Sequence, residues 1–192
     1  MGRNILALSP ALAEDYMRFF TEVAFCDHAD WGGCYCLESH LTQEDEQALS
    51  PFGLEGRQRK ARELIANGTM QGYLAYEDGQ VVGWCNCGPK NSYAKLLAES
   101  ALRSAEDAET RSIVCFVIAP DKRGQGIATE LLERVLADAA SIGCAYVEAY
   151  PNPAAANCFE HYRGPAGLYE KYGFAAVRET PWCQVVRKTL RD

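Results

Sequence analysis

The chain has 192 residues, 48% hydrophobic and 23% charged, the balance of one soluble globule rather than of a disordered tail or a fibre. With 19 Lys+Arg against 26 Asp+Glu the formal charge is −7, so a polyanion such as nucleic acid is repelled except where a local site holds it, and a cationic partner is the natural complement. No run reaches the roughly 18–20 apolar residues of a membrane span. The opening MGRNILALSP is too short in apolar residues for a signal peptide, and Leu6 breaks the myristoylation pattern, so a cytoplasmic location without membrane attachment is expected. The 9 cysteines are odd in number and the chain can build a core without staples, which favours reduced thiols.

Residues 3–8 read as a short strand, stopped by Ser9-Pro10. Pro10 suits the first turn of a helix reaching about Phe25, with Leu12, Tyr16, Phe19, Phe20 and Val23 on one face. Residues 26–53 read as an irregular stretch of the kind that makes binding loops, and a second helix is expected over 55–66. Strands 71–77 and 80–87 flank Asp78-Gly79, the strongest short hairpin signal in the chain. Residues 89–110 form a polar, weakly helical insertion without a motif. The nearly all-apolar 112–119 predicts a strand covered on both faces. Ile127, Leu131, Leu132, Val135, Leu136, Ala139 and Ala140 recur at helical spacing up to Gly143, and 144–150 reads as the next strand. A short helix near 165–172 and two strands near 174–178 and 183–189 close the chain. A strand–helix–strand unit over 112–150 implies parallel neighbours joined by a right-handed crossover. The expected fold is therefore one α/β domain over residues 1–192: a mixed, mostly antiparallel sheet with a central parallel strand–helix–strand unit and flanking helices.

The segment carrying chemistry is Val117-Ile118-Ala119-Pro120-Asp121-Lys122-Arg123-Gly124-Gln125-Gly126-Ile127-Ala128-Thr129. A buried strand runs into a glycine turn, and a helix starts straight out of it. Amides at such a helix start have no internal partners, and with the helix dipole behind them they form an anion cradle. Gly124 and Gly126 allow close approach of a phosphate, and Lys122 and Arg123 add local positive charge. The spacing fits neither the P-loop nor the three-glycine dinucleotide fingerprint. Taken alone, the pattern also suits an ordinary tight strand–helix turn.

Arg123-Gly124-Gln125-Gly126-Ile127-Ala128 after a strand ending Ala-Pro-Asp resembles the Arg/Gln-x-x-Gly-x-Gly/Ala signature of the GNAT superfamily of N-acetyltransferases. Leu168-Tyr169-Glu170-Lys171-Tyr172-Gly173-Phe174 is similar to that family's second hallmark, Leu-Tyr-x-x-x-Gly-Phe, and the element order matches from end to end. The resemblance implies acetyl-CoA as acyl donor, with its pyrophosphate on Arg123 and the amides of Gly124, Gln125, Gly126, Ile127, Ala128 and Thr129. It also implies a pantetheine arm along the backbone near Phe116, Val117 and Ile118, as peptides dock on sheet edges.

An amine acceptor is mostly protonated at neutral pH and needs a base, or a water chain to one. Alternation puts Cys144, Tyr146, Glu148 and Tyr150 on one face of their strand, leaving a Tyr/Glu/Tyr face for a pocket. The resemblance implies Glu148 as general base; the plainer reading is a surface carboxylate or a cross-strand ion pair. It likewise implies Tyr169 as general acid for the departing thiolate, the plainer role being aromatic packing. The sequence departs from the family at Tyr162, which stands where an asparagine is usual, seven residues before Tyr169.

Cys34-x-Cys36 and Cys85-x-Cys87 are poorly spaced for zinc, and no metal is expected. A covalent acetyl-cysteine on Cys34 or Cys36 is a minor alternative to direct transfer, and His28, His40 and His161 form no spaced cluster. Trp31 and Tyr35 fall where the family builds its acceptor pocket; they either sandwich a cation or fill a small loop core. The expected partner is a small-molecule amine, with a homodimer left open. The rival classes are a non-catalytic acyl-CoA sensor of the same fold and a thiol-based redox or metal protein.

Overall fold

The computed structural model describes residues 2–155, 157 and 160–191. The elements run β1 (Asn4–Ala7), α1 (Ala13–Arg18), α2 (Gln43–Leu49), α3 (Gly53–Ala66), β2 (Gly72–Glu77), β3 (Gln80–Pro89), α4 (Ala94–Ala98), β4 (Thr110–Ile118), α5 (Ile127–Ser141), β5 (Tyr146–Ala149), α6 (Ala166–Lys171), β6 (Ala175–Glu179) and β7 (Gln184–Thr189). All seven strands form one sheet in the order β1-β2-β3-β4-β5-β7-β6. The β4–β5 pair is parallel and its neighbours are antiparallel, the mixed sheet that the sequence predicts. The β2–β3 hairpin turns at Asp78 (φ 50°) and Gly79 (φ 80°), the two positive dihedrals that a tight turn of this hand requires.

Ile127 at the start of α5 lies against Gly83, whereas Tyr16 of α1 meets the Trp84 ring edge-on at 5.0 Å. Adjacent residues of a strand face opposite sides, so α5 and α1 cover opposite faces of β3. Helix α1 continues as a wider π turn over Phe19–Val23, which buries Phe19 and Phe20. The stretch 26–53 holds more structure than its composition suggests. Helix α2 has no apolar stripe and no buried residue; a reciprocal cap between Thr42 and Asp45 starts it. Among the described residues no helix is long and apolar enough to cross a membrane.

Strand β4 has two different halves. Thr110–Ile113 pair with Tyr146–Ala149 of β5, and beyond Ile113 the two strands part. Everything that resembles a site gathers where they part.

Candidate active site

A cavity of about 830 Å³ opens along the unpaired half of β4. Val114, Cys115, Phe116, Val117 and Ile118 form its floor, and Arg123 and Ala128 carry it to the start of α5. The Phe116 amide donates to the Tyr162 carbonyl at 2.6 Å, and the Ala119 amide donates to Val82 of β3. By alternation Val114, Phe116 and Ile118 present backbone groups to the gap, and Val117 presents its own to β3. Of the three residues expected to meet a donor arm, Phe116 and Ile118 therefore offer backbone groups to it, and Val117 offers only side-chain surface.

At the far end of this floor Gly124 (φ 73°) and Gly126 (φ 83°) turn the chain, and Gly126 is the left-handed N-cap of α5. No side chain caps the helix, so the first-turn amides of Ile127, Ala128 and Thr129 have no intrahelical partner. A methyl group built on Gly124 or Gly126 would meet nothing within 4 Å, so the cradle stands open to a ligand. The side chains around it are less cationic than the sequence suggests. Lys122 is tied to Glu77, and Arg123 pairs with Asp27 at 2.5 Å, holding that carboxyl below its usual range. Gln125 points away from the cradle, its Nε2 donating to the Asp121 carbonyl at 2.9 Å. Anion binding there falls mainly to the backbone amides and the dipole of the 15-residue α5.

Tyr169 lies on α6, fully buried, and burial pushes its hydroxyl well above the ordinary tyrosine range. The hydroxyl donates to the Arg163 carbonyl at 2.5 Å. Gly164, which lines the cavity, lies directly against it: a methyl group there would sit 2.6 Å from the phenolic oxygen. Tyr169 is thus one thin wall away from the cleft, and it is a donor.

Glu148 is placed differently from the expectation. Its side chain is 0% exposed and lines neither of the two largest cavities. Lys90 Nζ donates to Oε2 at 2.7 Å, Arg187 donates to Oε1 through Nε (3.0 Å) and Nη2 (2.7 Å), and Tyr150 donates to Oε2 at 3.1 Å. Arg187 lies opposite Glu148 in the β5–β7 register, so the cross-strand ion pair, one of the two sequence readings, is present. Lys90 also reaches Asp107 (2.8 Å) and the Leu102 carbonyl (2.6 Å), and Arg187 reaches Ser104 (3.1 Å). This buried cluster fastens the insertion before β4 over the very face that alternation assigns to a pocket. Sequence reasoning missed Lys90 and Arg187 because nothing in the motif-free insertion says which strand it covers.

A second cavity, of about 480 Å³, shares Trp31, Ser39, Val114 and Tyr162 with the first. Tyr150, Arg163 and Trp182 also line it. Of the two loop aromatics, Trp31 borders both cavities. Tyr35 is instead core: it is buried, and its hydroxyl is held by Thr21 (3.0 Å) and Gln58 (2.8 Å). Tyr35 (φ 44°) and Cys36 (φ 45°) are consecutive left-handed non-glycine residues, a strained turn. Their carbonyls are pinned by Tyr16 (2.8 Å) and Asn86 (3.3 Å), and Arg57 fixes Gly33 (2.7 Å) and Cys34 (3.3 Å) just before them. Burial, with thiol neighbours, raises Cys34 and Cys36 well above the free thiol value, so both stay protonated and weakly nucleophilic. His161, set aside by spacing arguments, lines the larger cavity beside Tyr162.

Comparison with known proteins agrees with this geometry. The sequence model of the acetyltransferase (GNAT) family matches residues 29–164. A search of curated protein sequences finds no match. Among solved structures, the PaiA N-acetyltransferase of Thermoplasma acidophilum in complex with coenzyme A superposes with a TM-score of 0.56 at 13% identity, covering 98% of this chain and 99% of its own. The GNAT domain of S. lividans PAT gives 0.59 at 13% identity, over 97% and 90% of the two chains. An N-acetyltransferase from Staphylococcus aureus Mu50 gives 0.55 at 14% identity over the full length of both. With the family match spanning most of its length and the same fold in all three structures, the chain belongs to the GNAT family of acetyltransferases.

Proposed function

We propose that this protein transfers an acetyl group from acetyl-CoA directly to the primary amine of a small molecule. The observation that carries the reading is the continuity of one cleft from the open amide turn at Gly124–Thr129, along the parted edge of β4, to the wall behind which the Tyr169 hydroxyl lies. Acetyl-CoA supplies the activated thioester when bound. The amides of Ile127, Ala128 and Thr129 would hold its diphosphate, with Gly124 and Gly126 giving clearance. The backbone at Phe116 and Ile118 would orient the arm as an added strand edge. Tyr169, kept protonated by burial, is the donor at the sulfur end, where a hydrogen bond stabilises the departing thiolate. Buried, protonated Cys34 and Cys36 favour direct transfer over an acyl-cysteine.

For Glu148 the geometry supports a positioning role instead of the expected general base. Its carboxylate already accepts from two cations and a phenol, and it touches the second cavity only through the Tyr150 hydroxyl. The acceptor's proton leaves to water in the open cleft.

Two measurements test the reading. Thiol-reagent detection of free CoA against a panel of amines should show acceptor-dependent release; tight acetyl-CoA binding with no release would make the chain a sensor. In calorimetry, Gly126→Asp should weaken acetyl-CoA by roughly tenfold or more, since it strains a left-handed position and sets a carboxylate against the diphosphate. Unchanged affinity would misplace the cradle.

A further inference from the structure

Three arginines line the two cavities, and two of them are occupied. Arg123 pairs with Asp27, and Arg57 spends its donors on the Gly33 and Cys34 carbonyls. Arg163 is different. Its guanidinium lies over the Trp182 ring at 4.7 Å and over the Tyr162 ring at 4.9 Å. It makes no side-chain hydrogen bond and no ion pair among the described residues. Its backbone is fixed from below, because its carbonyl takes the Tyr169 hydroxyl.

Stacking on two rings orients a guanidinium without touching the N–H edge in its plane, and that edge is the fork that matches a carboxylate. The other polar groups of the second cavity are engaged. Lys95 is paired with Glu38, and the Tyr150 hydroxyl bonds to Ser112 and Glu148. Glu99 and Glu160 also border the cavity, both exposed, and Arg163 pairs with neither. The remaining lining is apolar, from Leu96, Leu102, Val114 and Trp31. Trp182 stands exposed at its edge, a large ring that a bound molecule would cover.

We infer that this second cavity is the acceptor subsite and that Arg163 selects an amine that also carries a carboxylate, an α-amino acid with an apolar or aromatic side chain. The inference rests on the acyl-transfer reading, because the acceptor's amino group must reach the parted edge of β4. Val114 borders both cavities and supplies that junction. The carboxylate then lies on the Arg163 fork, and the side chain lies against Leu96, Leu102 and the indoles. A charge-assisted pair of this kind has a preformed partner, so little ordering cost is left to binding.

The test compares matched acceptors with acetyl-CoA: L-phenylalanine against phenethylamine, and L-leucine against 3-methylbutylamine. In the native protein the acid member of each pair should have the higher kcat/KM. Arg163→Gln should lower that acid-over-amine ratio by roughly ten- to hundredfold, chiefly through KM for the acid, and Arg163→Lys should restore only part of it. Calorimetry with N-acetyl-L-phenylalanine in the presence of CoA gives a readout free of turnover, and Arg163→Gln should lose that binding while its melting temperature shows a folded protein. The inference is overturned if the amines are preferred, or if Arg163→Gln leaves the ratio and product binding unchanged. Acylation of amines alone would sink the inference and leave acyl transfer standing. CoA release with neither set would sink both.

Discussion

The two halves of β4 are built from similar residues and meet opposite fates. Over Thr110–Ile113 the strand is paired on both edges and sealed beneath a buried cluster of Lys90, Glu148 and Arg187. Over Val114–Ile118 the same strand is paired only with β3, and its free edge is the floor of the cleft. The contrast teaches that the opening is maintained by what closes the other half. β4 and β5 part where the ionic clasp ends, and the clasp fixes how far they can move together. It also shows why ionisable residues on β5 need not be chemical: the strand's charge faces the clasp, and the chemistry faces the parted edge.

The largest expected effect comes from breaking the sealed half. Glu148→Gln leaves two cations facing a neutral amide inside the protein, which should cost about 3–5 kcal/mol in thermal or denaturant unfolding. If Glu148 were the base, the variant would instead keep its stability and lose the pH dependence of turnover, so the pair of measurements separates the two roles. A second way to sharpen the contrast uses His40, which lies behind the open half, between Asn86 of β3 and the Ser92 carbonyl at 3.3 Å each. Burial lowers its imidazole to about 4, well under the value of an unfolded chain. The unfolded state therefore takes up the proton first as pH falls. Stability is complete above about pH 6.5 and declines toward pH 4 by about 3 kcal/mol, and His40→Asn should flatten that part of the curve.

Smaller changes test the wall of the cleft. Gly164 sits at φ 84° with the Tyr169 oxygen against it, so Gly164→Ala should cost roughly 1–3 kcal/mol and displace the hydroxyl. Unaltered stability with full turnover would show that the Tyr169 hydroxyl's position is not critical. The mildest expectation concerns Asp27→Asn, which releases Arg123 beside the cradle. Acetyl-CoA affinity should rise slightly at low ionic strength and converge with the native value in high salt, as screening predicts.

Much of this architecture could be read before any coordinates. Asp78-Gly79, the apolar period of α5 and the glycine turn ahead of it depend on local chemistry, and local chemistry is written in consecutive residues. The two arms of the site were legible for the same reason: each motif is one turn of chain. What stayed hidden depends on distant pairs. Alternation put Glu148 on the correct face of β5 but could not reveal that Lys90, 58 positions away, covers that face. Helix α2 is polar all round and held by one cap, so it has no apolar period to detect. The Arg163 stack unites residues from two separate segments near the end of the chain, and no spacing rule joins Trp182 to Tyr162.

One bond described above ties the two substrates together. The Phe116 amide is held by the Tyr162 carbonyl, and Tyr162 is the immediate neighbour of Arg163. A donor arm that borrows this amide must first take it from Tyr162, and the exchange tugs on the adjoining guanidinium. Loading one half of the reaction therefore re-aims the recognition element for the other, so the two occupancies communicate through a single peptide link.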